Sequence, residues 1–308
     1  MNIAAILTVF NRRQKTLSCL EHLFAALDAY NSRRDGGEGS IRLVVYMTDD
    51  GSTDGTADSV KTQFAGRDVH IVQGTGSLFW AGGMRVAWQA AIDDSSMQWD
   101  YFLLLNDDTN VMPNVFEELF EADSYGFQKK GVHGISSGIT CEPGHPGVIT
   151  YGGLNFVNKT KGRQYLLQPT GTPQHIDLTH ANILMVHKKV VDTIGIFHKG
   201  YTHACADNDY SMTAHRHNIP VYSTSHVCGE CEHDHDTRRE EAQRLIGMTL
   251  AERRKYTNSP THSDSDYLLF VRRNLPLRYP MTVAVRAIRV YLPWLYYYIN
   301  KFRGVYKH

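Results

Sequence analysis

Apolar residues fall into short runs along the first third of the chain, separated by polar, turn-forming stretches. Residues 3–10 (IAAILTVF) are almost continuously apolar, the pattern of a buried strand. Across 11–30, Leu17, Leu20, Phe24 and Leu27 recur at helical spacing and predict an amphipathic helix. The polar, Gly-rich stretch 31–40 reads as a loop. The aliphatic, β-branched run 41–47 predicts a second strand, 54–64 a helix capped by Asp54, 69–72 a short third strand and 81–92 a helix of small residues. The run YFLLL (101–105) is wholly apolar, as expected of a strand covered on both faces. This alternation of strand and helix predicts a parallel sheet with crossover helices, an α/β fold. Further on the pattern is less regular. It suggests a strand at 133–138, a hairpin-bearing loop region at 141–172, a strand at 183–187, helices at 188–194 and 207–216, and a charged, helix-like stretch at 237–256. An apolar and basic helix is expected over 281–303, kinked or split by Pro293.

Composition narrows the class. The 308 residues are 42% apolar and 21% charged, enough for one large α/β domain with an extension. The N-terminal apolar run is short and lacks a basic lead-in, so no signal peptide is expected. The longest apolar run, 290–299, contains Pro293, whereas a membrane-spanning helix needs roughly 20 residues. Five cysteines, an odd number without a secretory signal, point to a reducing compartment and a cytoplasmic location. The zero net charge hides an asymmetry: residues 267–308 carry no Asp or Glu and eight Lys or Arg, leaving the rest of the chain at −8. A basic tail with Tyr291, Trp294 and Tyr296 to Tyr298 suggests a peripheral contact with the inner face of a membrane. The competing expectation is that it packs on the domain or on a second subunit, as in a homodimer. No nucleic-acid partner is expected.

Three acidic or Gly-rich segments follow predicted strands. Asn106-Asp107-Asp108 comes directly after YFLLL. Ligands bind at the carboxyl ends of parallel strands, and two adjacent carboxylates there call for a proton or a hard divalent cation. The competing reading is that the pair caps a following helix, with Pro113 in its first turn. The segment Asp49-Asp50-Gly51-Ser52-Thr53-Asp54-Gly55-Thr56 ends the second strand, and its turn residues explain much of it. The stretch from Gly74 to Arg85 offers backbone amides for phosphate, yet it is neither a Walker loop nor a dinucleotide fingerprint.

Taken in order, these segments resemble glycosyltransferase family 2, and within it the rhamnosyltransferase-type members of bacterial surface-polysaccharide synthesis. The residues that carry the likeness are Leu7-Thr8-Val9-Phe10-Asn11-Arg12, Asp49 to Thr56, Phe79 to Arg85, Leu105-Asn106-Asp107-Asp108-Thr109, and Gly195-Ile196-Phe197 followed by Cys205-Ala206-Asp207-Asn208-Asp209-Tyr210. The resemblance implies a GT-A fold, a Rossmann-like and mostly parallel sheet flanked by helices, over residues 1–235. A helical, basic extension would occupy 236–308. It implies an inverting transfer from a nucleotide-diphosphate sugar, dTDP-rhamnose or a UDP-sugar, to a glycan acceptor; membrane contact through the basic tail would suit a lipid-linked acceptor at the inner membrane face. By the same resemblance, Thr8, Phe10 and Arg12 hold the base and ribose, Asp49 bonds the pyrimidine, and Trp80 and Arg85 contact the donor. Asp107 lies near ribose and metal, and Asp108 binds a divalent ion, Mg2+ or Mn2+. Asp207 is the catalytic base and Asp209 its partner on the helix.

Two departures from the family pattern leave choices open. Ala206 stands where a Glu often precedes the base, so Asp209 remains a rival to Asp207. A metal-binding His is expected downstream, within Cys228-Gly229-Glu230-Cys231-Glu232-His233-Asp234-His235. His233 is preferred, and Glu230 and His235 are alternatives. Cys228 and Cys231 also have zinc-ligand spacing, but the histidines follow at once and lie too close together for a usual zinc module. The rival functions are a sugar nucleotidyltransferase, disfavoured because Asn11-Arg12-Arg13 holds no glycine for a triphosphate loop, and a catalytically inactive carbohydrate- or nucleotide-binding protein.

Overall fold

The computed structural model describes residues 1–34, 37, 39–233, 238–262 and 264–305, with residue 238 described by its backbone alone. Strands β1 (Asn2–Val9), β2 (Arg42–Asp49), β3 (Val69–Gln73) and β4 (Tyr101–Leu105) are linked by helices α1 (Arg13–Ser32), α2 (Thr56–Gln63) and α3 (Phe79–Asp93). They pair in parallel in the order β3-β2-β1-β4, as the alternation of elements predicted. Next come β5 (Asn110–Val111), α4 (Val115–Lys130), β6 (Ile135–Glu142), β7 (His145–Tyr151), β8 (Gly153–Asn158), β9 (Arg163–Leu166), β10 (Leu178–Thr179) and β11 (Ile183–His187). The chain continues through α5 (Lys188–Ile194), α6 (Ala206–Arg216) and β12 (Val221–Glu230). It ends in α7 (Arg238–Gly247), α8 (Leu250–Thr257), α9 (Asp264–Asn274), α10 (Tyr279–Tyr291) and α11 (Pro293–Phe302). Strand β11 inserts antiparallel between β4 and β6, while β12 lies parallel to β6. Among the described residues the main sheet has nine strands, and β8, β9 and β10 form a small second sheet.

The continuous apolar runs are explained by burial on both faces. Along β1, Ile3, Ala5 and Leu7 pack with Leu20, Leu23 and Phe24 of α1 and with Phe116 and Leu119 of α4. Ala4 and Ile6 face the other way, onto Met84, Ala87 and Trp88 of α3. This is the two-residue period of a strand, here apolar in both phases. Leu103 and Leu104 of β4 are fully buried on opposite faces, and truncating either to alanine should cost about 2–5 kcal/mol. The small residues of α3 allow close packing: a Cβ added at Gly83 would lie 2.0 Å from Oγ1 of Thr8.

The second half differs from its sequence pattern at several points. Pro113 precedes α4, and Asn114 occupies the cap position, so the acid pair at 107–108 does not cap that helix. The region 141–172 holds β7, β8 and β9. Helix α9 belongs to the body of the molecule, since its Phe270 and Val271, with Leu275 just beyond its end, join the core around Trp88 and Tyr210. Pro293 begins α11 and separates it from α10, the expected split. Part of the basic excess of the tail is neutralised internally. Arg273 pairs with Asp209, Arg286 with Asp264, and Arg289 with both Asp264 and Glu241. No helix among the described residues is long and apolar enough to cross a membrane.

Candidate active site

The carboxyl ends of β1, β2, β3 and β4 lie along one edge of the sheet, and the segments that leave them are tied together. The Asn11 side chain accepts from the Thr53 amide at 2.7 Å, the Asn11 amide donates to Ser52 Oγ at 3.0 Å, and the Arg13 amide donates to Asp54 at 2.9 Å. Four described non-glycine residues have positive φ, and three of them stand at this edge: Asn11 after β1, Phe79 before α3 and Cys205 before α6. Backbone in that region costs energy and is kept where a surrounding site holds it in place.

The two acids ending β2 have separate tasks. Asp50 is buried and accepts amides of Gly76 (2.8 Å), Leu78 (2.8 Å) and Phe79 (3.0 Å). It thereby shapes the Gly-rich loop, and it takes amides that the sequence reading offered to phosphate. The buried Asp49 side chain accepts the Ser52 amide at 2.8 Å. Phe10 is exposed at the same edge, and Thr8 is half-buried against Gly83.

At the end of β4 the acid pair meets a cation. Arg12 Nη1 lies 3.3 Å from Asp107 Oδ1 and 2.6 Å from Asp108 Oδ2. Burial pushes the Asp107 carboxyl up to about 7, against the pull of Arg12. Thr16 Oγ1 donates to its other oxygen at 3.4 Å. Trp80 Nε1 donates to the Asn106 side chain at 2.8 Å, fixing the residue just before the pair. The donor set suits a hard divalent cation: two carboxylates, one partly open to solvent, balanced by a half-exposed guanidinium that an ion with more charge can replace. The residue after β12 that meets Asp108 is Cys231, its Sγ 3.8 Å from Oδ1. His233 stacks on Tyr151 at 5.9 Å and donates its amide to Glu142 at 3.2 Å. The Glu230 side chain accepts from the Gly144 amide at 3.2 Å. His235 lies outside the described residues.

The acids of α6 reach the same edge through β11. Because β11 runs antiparallel to β4, its start pairs with the end of β4, Ile183 opposite Leu105. The Ala181 amide donates to Asp207 Oδ2 at 3.0 Å, while the next residue, Asn182, donates to Cys231 Sγ at 3.3 Å. Asp207 and Asp108 are thus joined through two consecutive residues and one cysteine. Asp207 is half-buried; desolvation raises its carboxyl to about 6, and the amides of Ala181 and Asn208 oppose that rise. Asp209 is 2% exposed, paired with Arg273 Nε at 3.0 Å and with the Asn274 amide group at 2.6 Å. The loop before α6 is clamped from α9: buried Asp266 accepts the amides of Thr202, His203 (2.7 Å) and Ala204 (2.9 Å). Arg85 serves the same loop, donating to the carbonyls of Tyr201 at 2.8 Å and His198 at 3.3 Å.

The structure therefore gathers Arg12, Asp107, Asp108, Trp80 and Asp207 around one edge and leaves Asp209 sealed behind it. Sequence reasoning missed Asp50, Asp266, Arg273 and Cys231 as parts of this arrangement. Asp50 stood in a quoted motif, but the loop that needs its oxygens lies more than twenty residues away.

Fold and edge together define an α/β protein with carboxylates and a cation gathered at the carboxyl ends of its strands. Residues 4–168 match glycosyl transferase family 2. The match spans more than half of the chain, which belongs to this family and is a glycosyltransferase. Among solved structures, the mannosyltransferase PcManGT from Pyrobaculum calidifontis, in complex with GDP-Man and Mn2+, is similar with a TM-score of 0.51 at 14% identity. The similarity covers 99% of this chain and 81% of that one. TarS 1–349 of S. aureus, in complex with UDP-GlcNAc, gives a TM-score of 0.47 at 14% identity over 91% of this chain and 73% of its own. At such identity the first of these is a likeness of fold. No curated protein sequence matches the chain.

Proposed function

We propose that this glycosyltransferase is inverting and metal-dependent, moving a sugar from a nucleotide-diphosphate donor to a glycan hydroxyl. One observation carries the reading: a single sheet edge presents an acid pair with an exchangeable cation and a separate half-buried carboxyl raised to about 6. Asp108, with Asp107 beside it, would hold Mg2+ or Mn2+, and His233 is the proposed further ligand, ahead of Glu230 and His235. Bound there, the ion neutralises charge on the diphosphate leaving group. Thr8, Phe10, Arg12 and Asp49 hold the nucleoside. Trp80 orients Asn106, and Arg85 acts on the donor side through the loop it anchors. Asp207 takes the proton of the acceptor hydroxyl as its oxygen bonds to the anomeric carbon. The bond to the diphosphate breaks on the opposite face, which inverts the centre. Asp209 is the positioning partner, since its oxygens are engaged by Arg273 and Asn274.

The donor proposed is dTDP-rhamnose or a UDP-sugar, and the acceptor a lipid-linked glycan of bacterial surface-polysaccharide synthesis. The GDP-Man held by the Pyrobaculum protein makes a GDP-sugar the necessary comparison. The test is nucleoside-diphosphate release and sugar transfer from a panel of dTDP-, UDP- and GDP-sugars, with and without Mn2+ or Mg2+. Metal-stimulated release from one donor is expected. Full activity in EDTA would remove the metal assignment. Pyrophosphate-dependent formation of a sugar nucleotide would mark a nucleotidyltransferase, and binding without turnover an inactive binding protein.

The C-terminal helices support a second proposal, peripheral contact with an anionic membrane that brings the enzyme to a lipid-linked acceptor. Leu277 and Phe302 are 88% and 87% exposed, and Met281 and Trp294 are also exposed. Arg278, Lys301 and Arg303 have no carboxylate partner among the described residues. Each cation near an anionic leaflet contributes about 1 kcal/mol. Co-sedimentation with anionic but not neutral vesicles, weakened by salt, is expected. Concentration-dependent dimerisation without vesicle binding would assign this face to a second copy instead.

A further inference from the structure

We propose that His175, Asp177 and His215 form a second metal site, separate from the acid pair, for a borderline transition-metal ion such as Zn2+. One ligand atom from each residue lies within 4.8 Å of the other two. Among the described residues this is the group of three that meets such a criterion. It arises from two elements of different period. Residues 174–176 run extended against the start of β12: the Ile176 amide donates to the Val221 carbonyl at 3.1 Å, and the Ser223 amide to the Gln174 carbonyl at 2.8 Å. Ile176 is fully buried, so its neighbours His175 and Asp177, two residues apart, share the opposite face. His215 reaches that face from the last turn of α6, with its ring centroid 5.1 Å from that of His175.

The surroundings are those of a ligand set. Nε2 of His215 lies 2.9 Å from the Ile176 carbonyl and 3.2 Å from the Asp177 carbonyl. Both are acceptors, so the neutral ring carries its proton on Nε2 and its lone pair on Nδ1. Histidines that bind metals are commonly held by such a bond from the other ring nitrogen. Asp177 is oriented in the same way, its Oδ2 accepting the Phe156 amide at 2.9 Å. His175 is exposed, which gives an ion a path of entry.

Two imidazoles and one carboxylate suit zinc-like ions, whereas the paired carboxylates of Asp107 and Asp108 favour Mg2+ or Mn2+. His215 is eight residues beyond Asp207 on α6, about 12 Å along the helix at 1.5 Å per residue. Occupancy would pin α6 to the segment that pairs with β8 and β12, so the bound ion should stabilise the helix that presents Asp207.

The experiment titrates Zn2+ into chelator-treated full-length protein by calorimetry, with saturating Mg2+ covering the acid pair. One equivalent is expected to bind and to raise Tm. Asp108→Ala should bind it equally well. His175→Ala, at an exposed position, and Asp177→Asn should weaken binding at least ~10-fold. Co2+ in place of Zn2+ should give the visible absorption of a tetrahedral site, lost in His175→Ala. Absence of zinc uptake by the wild type, uptake unchanged in both variants, or uptake abolished by Asp108→Ala would each overturn the proposal.

Discussion

Both sides of the active-site edge bury a carboxylate against an arginine, and the two pairs are built differently. On the β4 side, Asp107 is buried and Asp108 partly open, and both meet an Arg12 side chain that is 45% exposed. On the α6 side, Asp209 meets Arg273, and the Asn274 side chain closes the remaining space. The first counter-ion stands at a solvent-accessible edge. The second is delivered by α9, whose Phe270 and Val271 are part of the core, so it moves only if the helix moves. A partly exposed counter-ion would suit the proposed role of this pair, holding a divalent ion beside a diphosphate. A fixed one would suit a helix that presents the proposed base, Asp207. The neighbours at the end of β2 divide their work in a similar way, with Asp50 holding a loop and Asp49 left less engaged.

Five variants break or sharpen this comparison. Asp108→Ala should have the largest effect, lowering turnover on the order of 1000-fold, since several kcal/mol of charge compensation at the leaving group are lost. Its urea-unfolding midpoint should match that of the wild type. A stable variant with normal turnover would remove the acid pair from the chemistry. Next, Arg273→Ala should destabilise the protein by about 3 kcal/mol, because it leaves Asp209 charged and buried without its cation. Denaturation curves read this directly, and an unchanged midpoint would mean that α9 holds α6 by apolar contact alone.

Asp207→Asn should lower kcat by roughly 100-fold while donor affinity stays nearly unchanged. The wild-type rate should rise with pH and level off above about 6, because the carboxyl raised by burial must lose its proton before it can act as a base. If Asp209→Asn is inactive yet fully folded while Asp207→Asn turns over normally, the two roles are exchanged. The smallest effect on stability belongs to Arg12→Ala, within about 1 kcal/mol, since a half-exposed ion pair contributes little. A loss as large as that in Arg273→Ala would erase the distinction between the two pairs. Isothermal titration with the donor should show weaker binding in Arg12→Ala despite the unchanged fold.

Several elements were legible in the sequence because their signals are local. β4 and β11 occupy the runs that their apolar patterns marked, 101–105 and 183–187, and α5 spans 188–194 as read. The acids that follow strands were visible as candidates, because a parallel sheet places all such segments on one edge. β12 was not legible. Its stretch VYSTSHVCGE alternates poorly, yet Ser223, Thr224 and Ser225 are buried. Thr224 Oγ1 accepts the Ile139 amide at 3.0 Å and donates to the His226 carbonyl at 2.9 Å, so its polar atom is satisfied only once the sheet has formed. Helix α9 was missed for a related reason: much of its polarity, including Asp264, Asp266 and Arg273, is spent on partners elsewhere in the fold.

By itself the sequence determined the α/β class, the family resemblance, and the set of carboxylates from which the site is drawn. Periodicity and motif spacing are properties of neighbouring residues, so no folded chain is needed to read them. Tertiary structure decided how each acid of a pair is engaged. Asp50 is engaged by amides 26 to 29 residues away, Asp209 by an arginine 64 residues away, and Asp108 meets a cysteine 123 residues away. The protonation and availability of a carboxylate depend on the charges and donors that surround it in space, and those contacts exist only after the chain has folded.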